Sequence, residues 1–311
     1  MNVSIVITHY KSPEVLKMAL NYALAWKKDF EAVEEAKIKA SSVKAGNISR
    51  AERIALASSA AEKNNPVRQK YAEIIVSDSE TIKETFEMMT SYFGGVKYIQ
   101  SEKNIGFGKC ANRGIDAAEG EYIFIMNADT IISSPEELNK LIEYMEENEK
   151  AGIVGPKLLN FDETHQRSAF RYYSPMTILF RRTFLGKTSR GKKALDEFVL
   201  KDKKNLLNNP TRVDWLMGSA ILTKKEHLEK IGGFDENFFM YMEDVDLCRR
   251  FWESGLEVVY FPKAKMYHFH GKASRNHSTI TSLFNKYTRV HVASAYKYFR
   301  KYGLRVPRYG E

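Results

Sequence analysis

Short runs of apolar, β-branched residues alternate with segments of helical period along most of this chain. VSIVIT (3–8), EIIV (73–76), VKYIQ (96–100) and YIFIM (122–126) are each followed by an amphipathic stretch. Those stretches begin at Pro13 and lie near Thr81–Tyr92, Lys109–Ala118 and Pro135–Glu149. Runs this uniformly apolar predict strands buried on both faces, as in a parallel sheet covered by helices. GIVGPKLL (152–159), WLMGSAILT (215–223) and EVVYFP (257–262) read as further strands. Helices are expected at Lys224–Ile231, opened by a Thr223–Glu226 capping box, and from about Glu243 to Ser254. One stretch breaks the alternation. Lys27 to Lys70, rich in Ala, Glu, Lys and Ser, stands where a connection of about 2–6 residues is usual. It reads as an inserted helical hairpin, either a solvated decoration or a surface for an oligomer or partner.

In open parallel sheets, ligands bind beyond the carboxyl ends of the strands. Four polar clusters fall there: Thr8, His9 and Tyr10 with Lys11 and Ser12; Asp78 and Ser79; NIGFGKCANRG (104–114); and Asn127 to Thr130. Gly106 and Gly108, just before a helix, would let backbone N–H groups approach a diphosphate. Their spacing fits neither a Walker loop nor a dinucleotide fingerprint. Asp129, directly after a buried strand, is suited to a hard divalent cation bridging two phosphates. Ser133 or Ser134 is better placed than Asp129 to cap the Pro135 helix.

FFMYMEDVDLCRR (238–250) runs apolar residues straight into three acids. With a helix starting near Glu243, residues 244, 247, 248 and 251 share one face. Asp244 then tops a buried stripe and is the candidate for chemistry. Asp246 lies about 200° away and is set to pair with Arg249 or Arg250. In YHFHGKASR (267–275), His268 and His270 point the same way if extended, and both, one or neither reaches a metal. Lys272, Ser274 and Arg275 offer donors to a phosphate.

A net charge of +9 suggests an anionic partner, which could be nucleic acid, a phosphorylated substrate or an acidic membrane. No zinc or RNA-recognition signature supports nucleic acid. The two cysteines, Cys110 and Cys248, sit far apart in expected helices, as in a reduced, cytosolic protein. MNVSIVITHY reads as a strand rather than a signal peptide, and no stretch approaches the roughly 20 apolar residues of a membrane span. Met176–Lys204 and the C-terminal segment 276–311, with Arg289, Lys297, Arg300 and Lys301, are basic and amphipathic. Such segments suit an anionic bilayer surface or packing against the rest of the protein.

SIVITHY, EIIVSDS, NIGFGKCANRG, IMNADT, VDWLMGSAIL, GGFDENFFMYMEDVDLCRR and YHFHGKASR, in that order, resemble the family 2 glycosyltransferases, within them the bacterial rhamnosyltransferase-like branch. The resemblance implies a GT-A fold, a Rossmann-like and mostly parallel α/β sheet, over residues 1–275, with the 27–70 insertion and the helical segment 276–311 as additions. It implies inverting transfer with Mg²⁺ or Mn²⁺. The donor would be a dTDP- or UDP-sugar, foremost dTDP-rhamnose, and the acceptor an undecaprenyl-diphosphate-linked glycan at the inner face of the plasma membrane. Thr8, His9, Tyr10 and Asp78 would line the nucleotide pocket, with Asn104, Gly106, Asn112 and Asn127 along the sugar-nucleotide segment. Trp215, Gly218, Ser219 and Glu243 would face donor sugar and acceptor. Asp244 matches the catalytic base, Asp129 the last acid of the DXD metal motif, and His268 or His270 a histidine near metal and diphosphate. Asn127 stands where that motif usually has its first acid. A nucleotidyltransferase would carry glycines after the first strand, where THYKSPE has none. A non-catalytic scaffold would have little reason to retain Asp244 beside the glycine and histidine motifs.

Overall fold

The structure, a computed structural model, describes residues 2–46, 71–269 and 286–310. The first strand β1 (Val3–His9) is buried along its whole length and leads into helix α1 (Pro13–Gly46). Then come β2 (Ala72–Asp78), α2 (Lys83–Tyr92), β3 (Lys97–Ile99), α3 (Phe107–Ala117) and β4 (Tyr122–Asn127). β1 pairs in parallel with both β2 and β4, and β2 in parallel with β3. All four strands therefore end on one edge, as the apolar runs predicted.

The second half continues with β5 (Thr130–Ile131), α4 (Pro135–Glu147), β6 (Ala151–Leu159), β7 (His165–Gln166) and β8 (Ala169–Phe170). Helices α5 (Pro175–Arg182) and α6 (Ser189–Phe198) flank a 3₁₀ turn at Phe184–Lys187. β9 (Thr211–Arg212), β10 (Trp215–Leu216), β11 (Ala220–Lys224), α7 (Lys225–Ile231), α8 (Glu243–Glu253), β12 (Glu257–His268) and α9 (Lys286–Tyr302) complete the chain. The main sheet runs β3-β2-β1-β4-β11-β6-β12-β5, with β11 antiparallel to both neighbours.

Alternation along β1 divides the core. Val3, Ile5 and Ile7 face α1 and α4, with Leu16, Trp26 and Leu141. Val6 faces α3 and α8, with Ala111, Ile115 and Phe251. The two layers of helices thus bury both faces of one sheet.

Several expectations need correction. Lys27 marks no boundary, because α1 runs unbroken to Gly46. Phe30 is buried and stacks on Trp26 at 5.1 Å, while Trp26 Nε1 donates to Asn139 Oδ1 at 3.1 Å, so packing carries the helix past Lys27. The rest of the expected hairpin, residues 47–70, lies outside the described residues. WLMGSAILT is not one strand but β10 and β11, parted at Met217–Ser219. The strand begun by EVVYFP continues to His268 after an irregularity between Phe261 and Lys265. Thr223 caps nothing: its hydroxyl donates to the Gly152 carbonyl at 2.7 Å, inside the sheet. Ser134 is the N-cap of α4, but its hydroxyl bonds the Glu136 side chain rather than a backbone N–H.

For the C-terminal helix the structure shows the packing that was one of its two expected uses. Ala295 and Tyr298 of α9 are buried in the α8 layer. Lys297 Nζ donates to Asn237 O at 2.7 Å, and Lys301 Nζ binds Asp235 and Asp246 at 2.7 and 2.6 Å. These two lysines, though exposed, tie the helix to the loop before α8 and to α8 itself.

Candidate active site

At the carboxyl edge the strand ends are cross-linked. Thr8 Oγ1 donates to Asn127 Oδ1 at 3.2 Å, and Ala128 N to Thr8 O at 2.9 Å. Ser219 O receives both Asn127 N (3.1 Å) and Thr130 Oγ1 (2.9 Å). The loop carrying Asp129 is thereby fixed to β1 and to the break before β11. Tyr10, 44% exposed, stands open above this edge.

His9 and Asp78 form a buried tie. His9 Nδ1 lies 3.0 Å from Asp78 Oδ1, Tyr98 OH donates to Asp78 Oδ2 at 2.8 Å, and Ser12 N donates to His9 Nε2 at 3.0 Å. Burial alone would raise the Asp78 carboxyl, but the bonds from His9 and Tyr98 outweigh it and hold it below the usual carboxylate range. Both ring nitrogens and both carboxylate oxygens are spent, so these residues shape the pocket floor instead of presenting polar atoms to it.

The glycine-rich turn is also occupied. Asn104 Oδ1 accepts from Gly106 N at 2.9 Å and from Ser79 Oγ at 3.0 Å. Gly106 has φ +82°, and a Cβ there would lie 2.3 Å from Phe239 O. Phe107 N donates to that same carbonyl at 3.0 Å. Gly106 is thus required for the close approach of the 239 loop, and these two amides are not aimed at a diphosphate. Asn112 spends both ends of its amide on the Phe234 backbone, at 2.9 and 2.8 Å, which seats the chain leading toward α8.

That chain enters α8 through Tyr241 and Met242, both at positive φ (68° and 69°). Left-handed conformations at two consecutive bulky residues are costly, and such strain concentrates at functional sites. Asp244 sits one residue into the helix. Its Oδ1 accepts from Val245 N at 2.9 Å and its Oδ2 from Gly218 N at 3.3 Å. A Cβ on Gly218 would touch Asp244 Cβ and the Phe107 ring, both at 3.4 Å. Asp244 keeps a window to the surface, yet its carboxyl lies deep enough that desolvation raises its pKa. Glu243 beside it is buried, and Oε2 has no hydrogen-bond partner. Burial first, then the charge of Asp244, pushes Glu243 up as well. Trp215 is fixed by packing: Nε1 donates to Arg171 O at 2.8 Å, and the ring stacks on Phe170 and Tyr173. Ser219 Oγ is buried without a partner.

Asp129 is one third exposed at its side chain, and its Oδ1 receives no hydrogen bond. His268 Nε2 faces that oxygen at 3.2 Å. His268 Nδ1 meets Gln166 Oε1 at 2.6 Å, an outer contact that sets the ring's orientation. A carboxylate oxygen lacking a donor beside an oriented imidazole fits a divalent cation that takes its remaining ligands from a diphosphate. No group of three or more ligating side chains occurs among the described residues. Sequence reasoning missed Gln166, 102 positions from His268, and the carbonyl of Phe239. Neither carries a local signal. His270, Lys272 and Arg275 lie outside the described residues.

The site therefore offers a desolvated carboxylate held by two amides, an Asp129–His268 pair with a carboxylate oxygen lacking a donor, and a sheet-edge cleft. The sequence model of Glycosyl transferase family 2 matches residues 56–202, and that of the N-terminal domain of galactosyltransferase matches residues 204–272. An N-acetylglucosaminyl-diphospho-decaprenol L-rhamnosyltransferase of Mycobacterium tuberculosis is 25% identical over 228 residues, 64% of this chain and 67% of the relative. Rhamnosyltransferase WbbL of Escherichia coli K12 is 27% identical over 242 residues, 75% of this chain and 83% of the relative. Among solved structures, the mannosyltransferase PcManGT of Pyrobaculum calidifontis, in complex with GDP-Man and Mn²⁺, superposes with a TM-score of 0.56 at 12% identity. That superposition covers 98% of this chain and 65% of the mannosyltransferase. The likeness establishes the fold, a GT-A sheet. The chain thus carries a family 2 glycosyltransferase domain over residues 56–202 and resembles the rhamnosyltransferase members of that family.

Proposed function

We propose that this glycosyltransferase transfers L-rhamnose from dTDP-rhamnose, with inversion, to a hydroxyl of a glycan carried on a lipid diphosphate such as undecaprenyl diphosphate. The observation that carries the reading is Asp244, whose carboxylate is fixed by the Gly218 and Val245 amides and has its pKa raised by burial. Raised basicity suits a general base, a role worth about 10²–10⁴-fold in rate. Asp244 takes the acceptor hydroxyl proton as that oxygen attacks C1 of the donor sugar. The C1–O bond breaks on the opposite face, and its electron pair leaves with the nucleoside diphosphate. Asp129 and His268 would hold a Mg²⁺ or Mn²⁺ ion, which supplies neutralisation of charge on the leaving diphosphate. The rhamnosyltransferase relatives support the donor sugar, and the mycobacterial relative's name supports the acceptor class. The alternative donor is a UDP-hexose.

Among the described residues no helix is long and apolar enough to cross a membrane. Met176, Leu179 and Phe184, exposed by 48%, 40% and 75%, project from the α5–α6 region beside Lys187, Arg190, Lys192 and Lys193. An apolar tip within a basic collar suits peripheral attachment to an anionic leaflet, in keeping with work at the cytoplasmic face.

The test is a panel of sugar nucleotides with Mg²⁺, Mn²⁺ or excess EDTA, read by release of nucleoside diphosphate and by the anomeric configuration of the product. Turnover of dTDP-rhamnose with a divalent ion and an inverted product is expected. Turnover of UDP-hexoses alone would assign the alternative donor. Full activity in EDTA would remove the cation from the reading.

A further inference from the structure

A second recess lies on the α8 side of the sheet, outside the cleft just described. It encloses about 400 Å³. Val199, Leu200, Leu206 and Leu207 contribute apolar walls, and Arg167, Lys201, Lys203 and Lys204 contribute cations, with no carboxylate among its lining residues. It opens where α6 ends, with Val199 and Leu200 on its wall. The Ser168 hydroxyl on its wall is 4% exposed and has no hydrogen-bond partner.

The recess adjoins the reaction centre through the sheet. β8 and β10 are antiparallel, with Leu216 opposite Ala169. Met217 N continues that ladder by donating to Ser168 O at 2.8 Å. Arg167 precedes Ser168 on one side of that contact, and Gly218, whose amide holds Asp244, follows Met217 on the other. Gln166, the preceding residue, orients His268. The short segment 165–169 therefore borders the recess, orients His268 through Gln166, and meets through Ser168 the residue before Gly218.

We infer that this recess binds the diphosphate and the first isoprenoid units of the lipid-linked acceptor, with Arg167 and Lys204 on the phosphates and the leucine wall on the prenyl chain. The inference rests on the acceptor class proposed above and gives it a site. Lys201 is paired with Asp196 at 2.5 Å and Lys203 bonds the Gly310 carbonyl at 3.0 Å, which leaves Arg167 and Lys204 to match a diphosphate, and cationic hydrogen bonds to phosphate oxygens are the strong ones. The apolar wall excludes a purely hydrophilic anion as the preferred occupant. A glycan on that diphosphate starts one strand away from Gly218, so its hydroxyls fall within the neighbourhood of Asp244.

The probe is farnesyl diphosphate, titrated against the full chain saturated with dTDP and UDP so that the donor cleft is filled. Farnesol and inorganic pyrophosphate are the controls. Wild type is expected to bind farnesyl diphosphate at least tenfold more tightly than either control. The Arg167→Gln/Lys204→Gln variant, with its fold checked by thermal melting, is expected to lose about tenfold or more of that affinity. Equal affinity in variant and wild type, no binding by wild type, or pyrophosphate binding as tightly as farnesyl diphosphate would each overturn the inference. Hydrolysis of dTDP-rhamnose by the wild-type enzyme needs no acceptor, so its failure would count against the proposed function and leave the titration standing.

Discussion

Asp244 and Asp246 leave the same first turn of α8, two residues apart, and the fold treats them in opposite ways. Asp246 is fully buried and fully paired. Lys301 Nζ and Tyr302 OH reach its Oδ1 at 2.6 and 2.8 Å, and Arg250 Nε reaches Oδ2 at 2.7 Å. Asp244 has only two backbone amides, the longer at 3.3 Å, and no cation is bonded to it among the described residues. A carboxylate tied to three side chains has its oxygens committed to them and is poorly placed to meet a substrate hydroxyl. A carboxylate held by weak neutral donors in a desolvated pocket retains its basicity. The helix thus uses one acid as an anchor and leaves the other for the role of reagent that we propose for it. Removing the reagent should have the larger effect on turnover. Asp244→Asn preserves size and amide contacts while abolishing proton acceptance, and is expected to lower kcat by at least about a hundredfold with donor affinity within about threefold. Steady-state transfer with a parallel donor titration checks it. Turnover near that of wild type would mean the two acids differ only in packing.

The anchor should show itself in stability. Asp246→Asn leaves Arg250 and Lys301 facing a neutral amide, and breaking a buried ion pair from one side costs about 3–5 kcal/mol. Lys301 and Arg250 keep some access to water, at 35% and 17% exposure, so about 2–3 kcal/mol is expected. Urea unfolding measures it. Lys301→Met should follow in the same direction with a smaller loss. A destabilisation under about 0.5 kcal/mol for Asp246→Asn would show that the α9 contacts do not hold the start of α8.

What the sequence reveals follows the same division between local and distant causes. The helical period was enough to place Leu247, Cys248 and Phe251 on one buried stripe below Asp244, and all three are at most 1% exposed. It also turned Asp246 toward Arg250, four residues on, where the bond is found. Apolar runs sufficed for the parallel strands, because burial on both faces leaves a compositional mark. Partners that are far off in the chain leave no such mark. Nothing near Lys297 or Lys301 announces Asn237 or Asp246, so both lysines read as surface charge. Likewise, His9 and Asp78 read as pocket residues because their mutual bond, 69 positions apart, depends on the β1–β2 register. The glycine at 106 was legible as a close approach, but the sequence could not say that the approaching group is the carbonyl of Phe239.

The smallest effect belongs to Glu243, which directly precedes Asp244. Its buried Oε2 lacks a partner and its pKa is raised, by burial first and then by the charge of Asp244. Two adjacent acids shed their protons in two steps that belong to the pair. Asp244 has amides to stabilise its anion, so it ionises first and Glu243 retains its proton while it does. Glu243→Gln imitates that protonated form. The acid limb of kcat/KM, displaced above the ordinary carboxylate range by Asp244, should stay where it is, and kcat should remain within about threefold. Stability behaves differently. A folded-state pKa raised above the unfolded value contributes stability below the unfolded pKa that is lost as pH rises through the folded one. Wild type should therefore weaken on the alkaline side relative to the variant. Each tenfold change in a group's proton affinity on folding corresponds to about 1.4 kcal/mol, and about 1 kcal/mol moves the Tm of a large domain by roughly 2 °C. A Tm difference of about 2 °C or more should open in favour of Glu243→Gln between about pH 6 and pH 9. Parallel melting curves across that range, or an acid limb that moves with the substitution, would mean that Glu243 is already ionised when Asp244 titrates, and the order of the two protons would have to be reversed.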